Sequence, residues 1–253
     1  MKEVVLKVSN LNKSYDNQKT FTVREINFEI FAGDIVGLVG RNGVGKSTII
    51  KSITGVLPFE MGEISIAGFD VKNNPIDAKK CLGYVPDVCN AFDKMTGMEY
   101  LNFIGDIFNI SKREREEKIK MFEDYFSLGE KIHSLISSYS HGMKQKISLM
   151  ASLLPSPKLW VLDEPTTGLD PQTQSSLLDY IVDYAKKGNS VLFSSHSLDI
   201  VEKVCNKVII IHKGTIVSNS SVKEALANAG ELDKFFKEKV KWWELSVFYL
   251  KKN

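Results

Sequence analysis

The first part of the chain alternates apolar and polar residues with the period of two that is typical of β-strands. Segments 4–8 and 20–30 alternate in this way, and segment 62–71 is predicted to be one further strand. Between them, Ile35 to Val39 is a short apolar run that ends in a glycine-rich loop. Such a run is typical of a buried parallel strand, so the pattern predicts antiparallel strands that lead into a strand–loop–helix unit.

The spacing of apolar residues changes to the 3.6-residue period of a helix from about Thr96 onward. Segments 96–99 and 111–114 each match the capping box, in which Ser or Thr is followed three residues later by Glu. Residues from about 88 to 139 are therefore predicted to form a helical insertion. The charged run 112–120 is interpreted as a solvated helix face.

Strands alternate with helices again after this insertion. The predicted elements are strands at 159–162 and 191–194, helices at 172–187 and 197–205, and a hairpin at 207–217. Asp170 and Pro171 suit the N-cap and first turn of the earlier helix, and Lys213 and Gly214 suit the hairpin turn. The alternation predicts an α/β fold with a mostly parallel sheet and helices on its faces.

Composition and charge narrow the function classes. A net charge of +2 gives no reason to expect a nucleic-acid partner. Cys81, Cys89 and Cys205 lie far apart and form no C-x-x-C pair, which argues against a zinc site or a disulfide framework and suits a reducing cytosol. The start of the chain lacks the apolar stretch of a signal peptide, and no run of about 18 apolar residues is present. No membrane-spanning helix is therefore expected.

A phosphate-binding loop is predicted at residues 40–47, which read GRNGVGKS and match G-x-x-x-x-G-K-[ST] between a predicted strand and a predicted helix. In this motif the backbone N–H groups point at phosphate oxygens, and the helix adds its positive end. Lys46 is expected to reach the β- and γ-phosphates, and the Ser47 hydroxyl to ligate Mg²⁺. The residues predicted to bind nucleotide here are Arg41, Asn42, Gly43, Val44, Gly45, Lys46, Ser47 and Thr48.

Two carboxylates follow the apolar segment 159–162. Asp163, at the carboxyl end of a buried strand, is placed to hold Mg²⁺. Glu164 is placed to face an attacking water as general base. Upstream, Ser140 is predicted to be the N-cap of another helix, whose positive end then points outward.

Taken together, these motifs resemble those of the ATP-binding-cassette (ABC) family. The likeness runs from about residue 4 to 217. The matching segments are the phosphate (Walker A) loop at 40–47, the helical insertion, SHGMKQ at 140–145, LWVLDE at 159–164, TGLD at 167–170 and FSSH at 193–196. The resemblance implies a P-loop NTPase core with N-terminal antiparallel strands, and an ATPase that binds ATP and Mg²⁺.

Further site roles follow from the resemblance alone. In the family two subunits close head to tail, so Ser140 and Gly142 are expected to contact the γ-phosphate held by a second copy. His196 is expected to contact the γ-phosphate and act in catalysis with Glu164 and Lys46, and Asp170 to lie on the dimer interface. Tyr15 stands where the family places an aromatic residue on adenine, although a half-buried strand tyrosine is the alternative. Val23 is expected to form an apolar wall nearby.

Two motifs depart from the family pattern. His141 and Met143 replace a glycine and the glutamine of the common LSGGQ signature. Asp87 stands where most members have a glutamine that senses Mg²⁺ and the membrane partner. Asp87 is counted among the candidate metal ligands, with Ser47 and Asp163, and its added negative charge leaves its role open.

The family resemblance predicts a peripheral subunit at the cytoplasmic face of the cell membrane, in a homodimer that drives a separate integral membrane permease. The signature and single cassette resemble those of bacterial ATPases that serve exporters of drugs, peptides or lipids. Segment 87–104 is expected to dock the permease, with Phe92, Met95, Met98 and Tyr100 as contacts; the equal alternative is that they only pack the helical lobe. A soluble role in iron–sulfur assembly is the remaining alternative function.

The predicted domains are an ATPase domain over 1–220 and a helical tail over 221–253. Within the tail, apolar residues recur at helical spacing from Leu232 to Val247, with lysines between them. Packing on its own domain or dimer contact is favoured for this stripe over attachment to a membrane surface.

Overall fold

The computed structural model describes residues 2–15, 21–88 and 92–250, with side chains to Glu244. The strands are β1 (Val4–Ser14), β2 (Phe21–Phe31), β3 (Ile35–Val39), β4 (Met61–Ile66), β5 (Phe69–Asp70), β6 (Leu82–Val85), β7 (Leu159–Asp163), β8 (Ser190–Ser195), β9 (Lys207–His212) and β10 (Thr215–Ser221). The α-helices are α1 (Lys46–Ile53), α2 (Pro75–Lys80), α3 (Gly97–Ile107), α4 (Lys112–Phe126), α5 (His141–Leu153), α6 (Pro171–Lys186), α7 (Leu198–Val204), α8 (Val222–Ala229) and α9 (Leu232–Leu250). Two short 3₁₀ helices, Gly129–His133 and Ile136–Ser138, lead into α5.

Two sheets form the framework. The larger has six strands in the order β10-β9-β3-β8-β7-β6, parallel from β9 to β6 with β10 antiparallel at one edge. The smaller is antiparallel, with four strands in the order β2-β1-β4-β5. The expected α/β fold with a mostly parallel sheet and N-terminal antiparallel strands is confirmed.

The parallel sheet is buried on both faces, which explains why its strands read as continuous apolar runs. Successive side chains of β3 enter different cores: Ile35 and Val39 join one cluster, and Val36 and Leu38 join the other. The first cluster includes residues of the helices from α3 to α6, and the second includes α1 and the antiparallel sheet. The sheet is thereby held rigid on both sides, and its strand ends make a fixed platform.

Helices α3 and α4 lie between β6 and β7 in the chain, as the change of period predicts. Thr96 forms the full capping box with Glu99 at the start of α3. The second predicted box is only half right. Ser111 accepts a hydrogen bond from the Glu114 N–H, but the Glu114 carboxylate lies 2.7 Å from the Lys118 ammonium.

The prediction of one strand over 62–71 is wrong. The chain turns at Ala67 and Gly68, both with positive φ, and returns as β5 in a short hairpin. The alternation of apolar residues runs through both strands and does not mark the turn between them.

The start of α9 belongs to the main core, because Leu232 and Phe235 are buried in the first cluster. Packing of the tail on its own domain is therefore seen for the described side chains, whereas the Val247 side chain lies outside them. The division at residue 220 stays a prediction. None of the described helices has the length and apolar character needed to cross a bilayer. Cys81 and Cys205 are free thiols, and Cys89 lies outside the described residues.

Candidate functional site

The glycine-rich loop connects the carboxyl end of β3 to α1, in the context that a phosphate-binding loop requires. Gly45 precedes α1 with φ of 110°, a conformation that side chains with a Cβ rarely adopt. A Cβ there would also lie 2.5 Å from Cγ1 of Val23. The first N–H groups of α1 have no partner within the helix, and such groups favour an anion.

Lys46 points back into this loop and is only 6% exposed. Its Nζ donates to the carbonyl oxygens of Gly40, at 2.8 Å, and Arg41, at 3.4 Å. It also lies 3.9 Å from Oε1 of Glu164. The ammonium is thus held between the loop and a catalytic candidate, where phosphate oxygens can exchange for the loop carbonyls.

Asp163 ends β7 and is buried. Its Oδ1 accepts hydrogen bonds from the Ser194 hydroxyl, at 2.6 Å, and the Ser47 hydroxyl, at 3.3 Å. The structure therefore brings together the Ser47 and Asp163 oxygens that the sequence assigns to Mg²⁺.

Glu164 and His196 form a pair at the ends of β7 and β8. Nδ1 of His196 lies 2.8 Å from Oε2 of Glu164, and the imidazole is exposed while the carboxylate is largely buried. Glu164 has φ of 50°, an uncommon left-handed conformation for a residue other than glycine. This conformation turns the chain away from β7 and leaves the carboxylate between Lys46 and His196.

These groups surround a cleft of about 450 Å³. Its lining consists of Thr22, Asn42, Gly43, Gly45, Lys46, Ser47, Thr48, Asp87, Glu164, Thr167 and His196. Thr22 and Thr167 were not predicted from the sequence. Thr22 lies next to the predicted Val23, and Thr167 begins the TGLD segment. The sequence therefore indicated adjacent residues or the segment, but not these two side chains.

Three predicted nucleotide contacts are placed differently. Val23 is fully buried beneath Gly45, so Thr22 forms that part of the cleft wall instead. Arg41 lines an adjoining groove of about 360 Å³ with Asp233 and Phe236 of α9. Val44 is half-buried, and its carbonyl accepts a hydrogen bond from the Gly214 N–H at 3.1 Å.

Tyr15 directly follows β1 and is 63% exposed, so the half-buried strand alternative is wrong. Its hydroxyl lies 3.4 Å from the Thr48 hydroxyl, and the Lys13 ammonium lies 5.5 Å from the ring centroid. The ring is thus open to solvent beside the first turn of α1, where it is available for stacking.

The signature segment lies apart from this cleft. Ser140 caps α5 by accepting from the Met143 N–H, and it is exposed. Gly142 packs on the TGLD segment, since a Cβ on it would lie 2.6 Å from the carbonyl oxygen of Gly168. Neither Ser140 nor Gly142 is among the described residues that line the cleft.

Asp170 of the TGLD segment is the N-cap of α6, as predicted. It accepts hydrogen bonds from the Thr173 N–H, at 2.9 Å, and the Thr173 hydroxyl, at 2.7 Å. These bonds stabilise the carboxylate form and lower the pKa of Asp170 from 3.8 to about 2, with a smaller effect from Lys146.

A second contact to the phosphate loop comes from the β9–β10 turn. The Gly214 carbonyl accepts from the Arg24 N–H at 2.8 Å, while its N–H binds Val44 as described above. Helix α9 packs on the same turn. The Trp243 ring meets the His212 ring edge-on at 5.0 Å, and the Glu244 carboxylate lies 3.4 Å from the Lys213 ammonium. That ammonium lowers the pKa of Glu244.

The donor chemistry fits Mg²⁺ that is held mainly by phosphate. Within residues 2–15, 21–88 and 92–250, no three His, Cys, Asp or Glu side chains gather into a metal cluster. Mg²⁺ is typically held by one or two protein oxygens, several waters and substrate phosphates. The hydroxyl of Ser47 and the carboxylate of Asp163 are oxygen donors of this kind.

Comparison with known proteins agrees with this geometry. The family model described as ABC transporter matches residues 23–167. The linearmycin resistance ATP-binding protein LnrL of Bacillus subtilis is 31% identical over 226 residues, covering 89% of this chain and 72% of that protein. The uncharacterized ABC transporter ATP-binding protein YxlF of the same organism is 34% identical over 242 residues, covering 94% and 79%.

A solved structure of an ATP-binding subunit of an ABC transporter superposes with a TM-score of 0.88 at 29% identity. The match covers 93% of this chain and 99% of the other. Since the family match spans more than half of the chain and includes the phosphate loop, the signature and both carboxylates, the chain belongs to the ABC transporter family, as an ATP-binding subunit that hydrolyses ATP to power transport.

Proposed function

We propose that two copies of this chain close head to tail around two ATP molecules and drive a separate integral membrane permease from the cytoplasmic face of the cell membrane. The observation that carries this proposal is the separation of the signature from the chain's own cleft. Ser140 and the positive end of α5 are exposed and do not line the cleft that Lys46 enters, within the described chain. The binding site for a γ-phosphate in that cleft is therefore completed by the α5 tip of a second copy.

Within each cleft, the side chains of one copy divide the work. Lys46 and the N–H groups of the loop bind the β- and γ-phosphates. Glu164 acts as general base toward the attacking water, and His196, bonded to the Glu164 carboxylate, contacts the γ-phosphate. Ser47 and Asp163 hold Mg²⁺, which neutralises phosphate charge when it is bound. Tyr15 stacks on the adenine.

Asp87 joins this group as a third metal candidate. It is exposed at the rim of the same cleft that Lys46, Ser47 and Glu164 line. Asp87 is the second residue after the end of β6, so its carboxylate links the metal site to the segment that follows β6. Asp87 therefore takes the sensing role of the usual glutamine, through a water or directly on the ion.

The permease docks in a groove of about 490 Å³ between the end of β6 and helices α3 and α5. Tyr100, Ile104 and Phe108 form its apolar wall, and Lys144 supplies a charge at its edge. Of the predicted contacts, Phe92 is exposed and stacks on Tyr100 at 4.8 Å, while Met98 and Tyr100 also pack on the core. The packing of Met98 and Tyr100 agrees with the alternative role in the helical lobe, and the exposed Phe92 is available for the proposed contact. Met95 is half-buried next to them.

Export is the proposed direction, with drugs, peptides or lipids as substrates. The relative LnrL is named for resistance to linearmycin. Removal of a toxic compound from the cell is a direct route to resistance, and this supports the exporter assignment for a chain that is 31% identical to LnrL over 226 residues.

The dimer is tested with Ser140→Ala in a Glu164→Gln background. Glu164→Gln removes the base while leaving the phosphate loop intact, so this variant should bind ATP, hydrolyse it slowly and elute as a dimer with ATP and Mg²⁺. Adding Ser140→Ala should weaken that dimer at least tenfold, because a hydrogen bond to a charged phosphate is lost at each of two sites. Size-exclusion chromatography with light scattering measures the dimer fraction.

Ser111→Ala is the matched control. Ser111 is also an exposed N-cap serine that accepts from the N–H three residues later at 3.3 Å, as Ser140 does. It should lower helix stability equally and leave the dimer unchanged. A monomer that hydrolyses ATP at full rate at every protein concentration would contradict the proposal. Copurification of an integral membrane protein from detergent-solubilised membranes, but not from cytosol, tests the permease.

A further inference from the structure

Ser194 is a buried residue of β8 that lies at the centre of the proposed catalytic groups. It is 0% exposed and sits two residues before His196. Strand β8 lies between β3 and β7, and Ser194 is paired with Asp163 in the β7 ladder. Its hydroxyl therefore emerges where the phosphate loop and both carboxylates meet.

This hydroxyl makes two hydrogen bonds that use its proton and one lone pair. It donates to Oδ1 of Asp163 at 2.6 Å and accepts from the backbone N–H of Glu164 at 2.9 Å. One atom thus contacts both consecutive acidic residues, through the side chain of the first and the backbone of the second. The Ser47 hydroxyl reaches the same Oδ1 at 3.3 Å.

The bond to Glu164 acts at a strained point of the backbone. With φ of 50°, Glu164 occupies the left-handed region, which costs free energy for a residue with a Cβ. Such a conformation persists only where neighbouring groups hold it, and the hydrogen bond from its N–H to Ser194 does so. The Glu164 side chain is thereby directed toward Lys46 and His196.

We propose that Ser194 is a positioning residue of the ATPase reaction: its hydroxyl fixes the Asp163 carboxylate for Mg²⁺ and the Glu164 backbone for general-base action at the same time. This inference rests on the proposed roles of Asp163 and Glu164. Ser194 itself touches neither ATP nor the attacking water, and it acts through the two carboxylates.

The test is Ser194→Ala, with Ser190→Ala as the matched control. Ser190 lies on the same strand, is also 0% exposed, and donates its hydroxyl to the Phe31 carbonyl oxygen at 3.0 Å, at the other end of β8. Both variants lose a buried hydroxyl that donates a hydrogen bond, so both melting temperatures should fall. Only the variant at 194 removes a contact to the carboxylates.

Three measurements separate positioning from folding. The kcat of Ser194→Ala should fall about tenfold or more, since a hydrogen bond to a charged group contributes at least that factor. Calorimetric titration in EDTA should give the wild-type Kd for ATP within about twofold. In the same experiment with Mg²⁺, the tightening of ATP binding by the ion should shrink severalfold relative to wild type and Ser190→Ala.

Equal kcat and equal Mg²⁺ effects in the two variants would overturn the inference. So would a loss of ATP binding in EDTA, because that would show collapse of the phosphate loop and not misplacement of the carboxylates. Absence of Mg²⁺-dependent hydrolysis in the wild type would instead contradict the proposed roles of Asp163 and Glu164, so the two failures are distinguishable.

Discussion

At the scale of single residues, the side chains of the site differ in burial and in hydrogen-bond partners, and these differences suit each of them to a different role. Lys46 is buried and fixed by two loop carbonyls, whereas the His196 imidazole is exposed and held at one nitrogen by Glu164. The Lys46 ammonium can exchange these loop carbonyls for phosphate oxygens while it stays inside the loop. The exposed His196 imidazole has room to move toward the γ-phosphate that it is proposed to contact.

Tyr15 gives a prediction at this scale. Its exposed ring can bind adenine by stacking, which contributes about 1 kcal/mol for aromatic pairs, or about fivefold in Kd. Tyr15→Ala should weaken ATP binding by about that factor, and Tyr15→Phe should retain most of it because the hydroxyl only meets Thr48 at 3.4 Å. Fluorescence titration with an ATP analogue measures both; equal Kd values for wild type and Tyr15→Ala would contradict the stacking role.

At the scale of elements, the N-terminal caps of two helices stabilise the fold and also lie on the surface proposed for dimer contact. Ser140 starts α5, Asp170 starts α6, and each accepts a hydrogen bond from the N–H three residues later. Because Gly142 packs on Gly168, the α5 tip and the segment before α6 form one surface. A change in either cap therefore affects the surface on which a second copy is proposed to close.

The cap at Asp170 predicts a pH dependence. Its pKa is about 2 in the folded chain, below the ordinary 3.8, so the stability that its ionised form adds is complete above about pH 4 and is lost as the pH falls toward 2. Asp170→Ala should therefore be less stable than wild type at pH 6, and the difference should narrow between pH 4 and 3. Urea unfolding at each pH measures it.

Asp179→Ala is the control for this series, because Asp179 is exposed on the same helix away from its start. Because this variant removes a carboxylate from α6 without removing a cap hydrogen bond, only a narrowing seen for Asp170→Ala and not for Asp179→Ala is assigned to the cap. A difference in the free energy of unfolding between wild type and Asp170→Ala that stays constant down to pH 3 would contradict the capping interpretation.

The elements and most site residues are predictable from the sequence because their signals are local. The phosphate loop, the Asp163-Glu164 pair and the caps at Ser140 and Asp170 each follow from spacing within a few residues. Ser194 and Thr22 were missed, since their contacts depend on β8 lying between β3 and β7 and on β2 lying over the loop. Strand order brings together residues far apart in the chain, and no local pattern encodes it.

At the scale of the whole molecule, the two cores hold the three central strands so that their carboxyl ends present the reactive groups side by side. Strand β3 leads to the phosphate loop, β7 to Asp163 and Glu164, and β8 to Ser194 and His196. The helical insertion follows β6 at the sheet edge, next to the groove proposed for the permease. The groove proposed for the permease and the ATP cleft meet in the segment after β6, because Asp87 lines the cleft and Pro86 and Val88 line the groove.

Because α9 contacts the β9–β10 turn, the fluorescence of a native tryptophan should report nucleotide binding. Trp243 lies against His212, and the neighbouring Gly214 is bonded to the phosphate loop at Val44. When ATP fills the loop, displacement of the turn should alter the indole's surroundings and shift its emission. Trp243→Phe should abolish the nucleotide-dependent change and Trp242→Phe, at a solvent-facing position, should preserve it. The fluorescence of helix α9 should thereby report nucleotide in the cleft, with no dye attached.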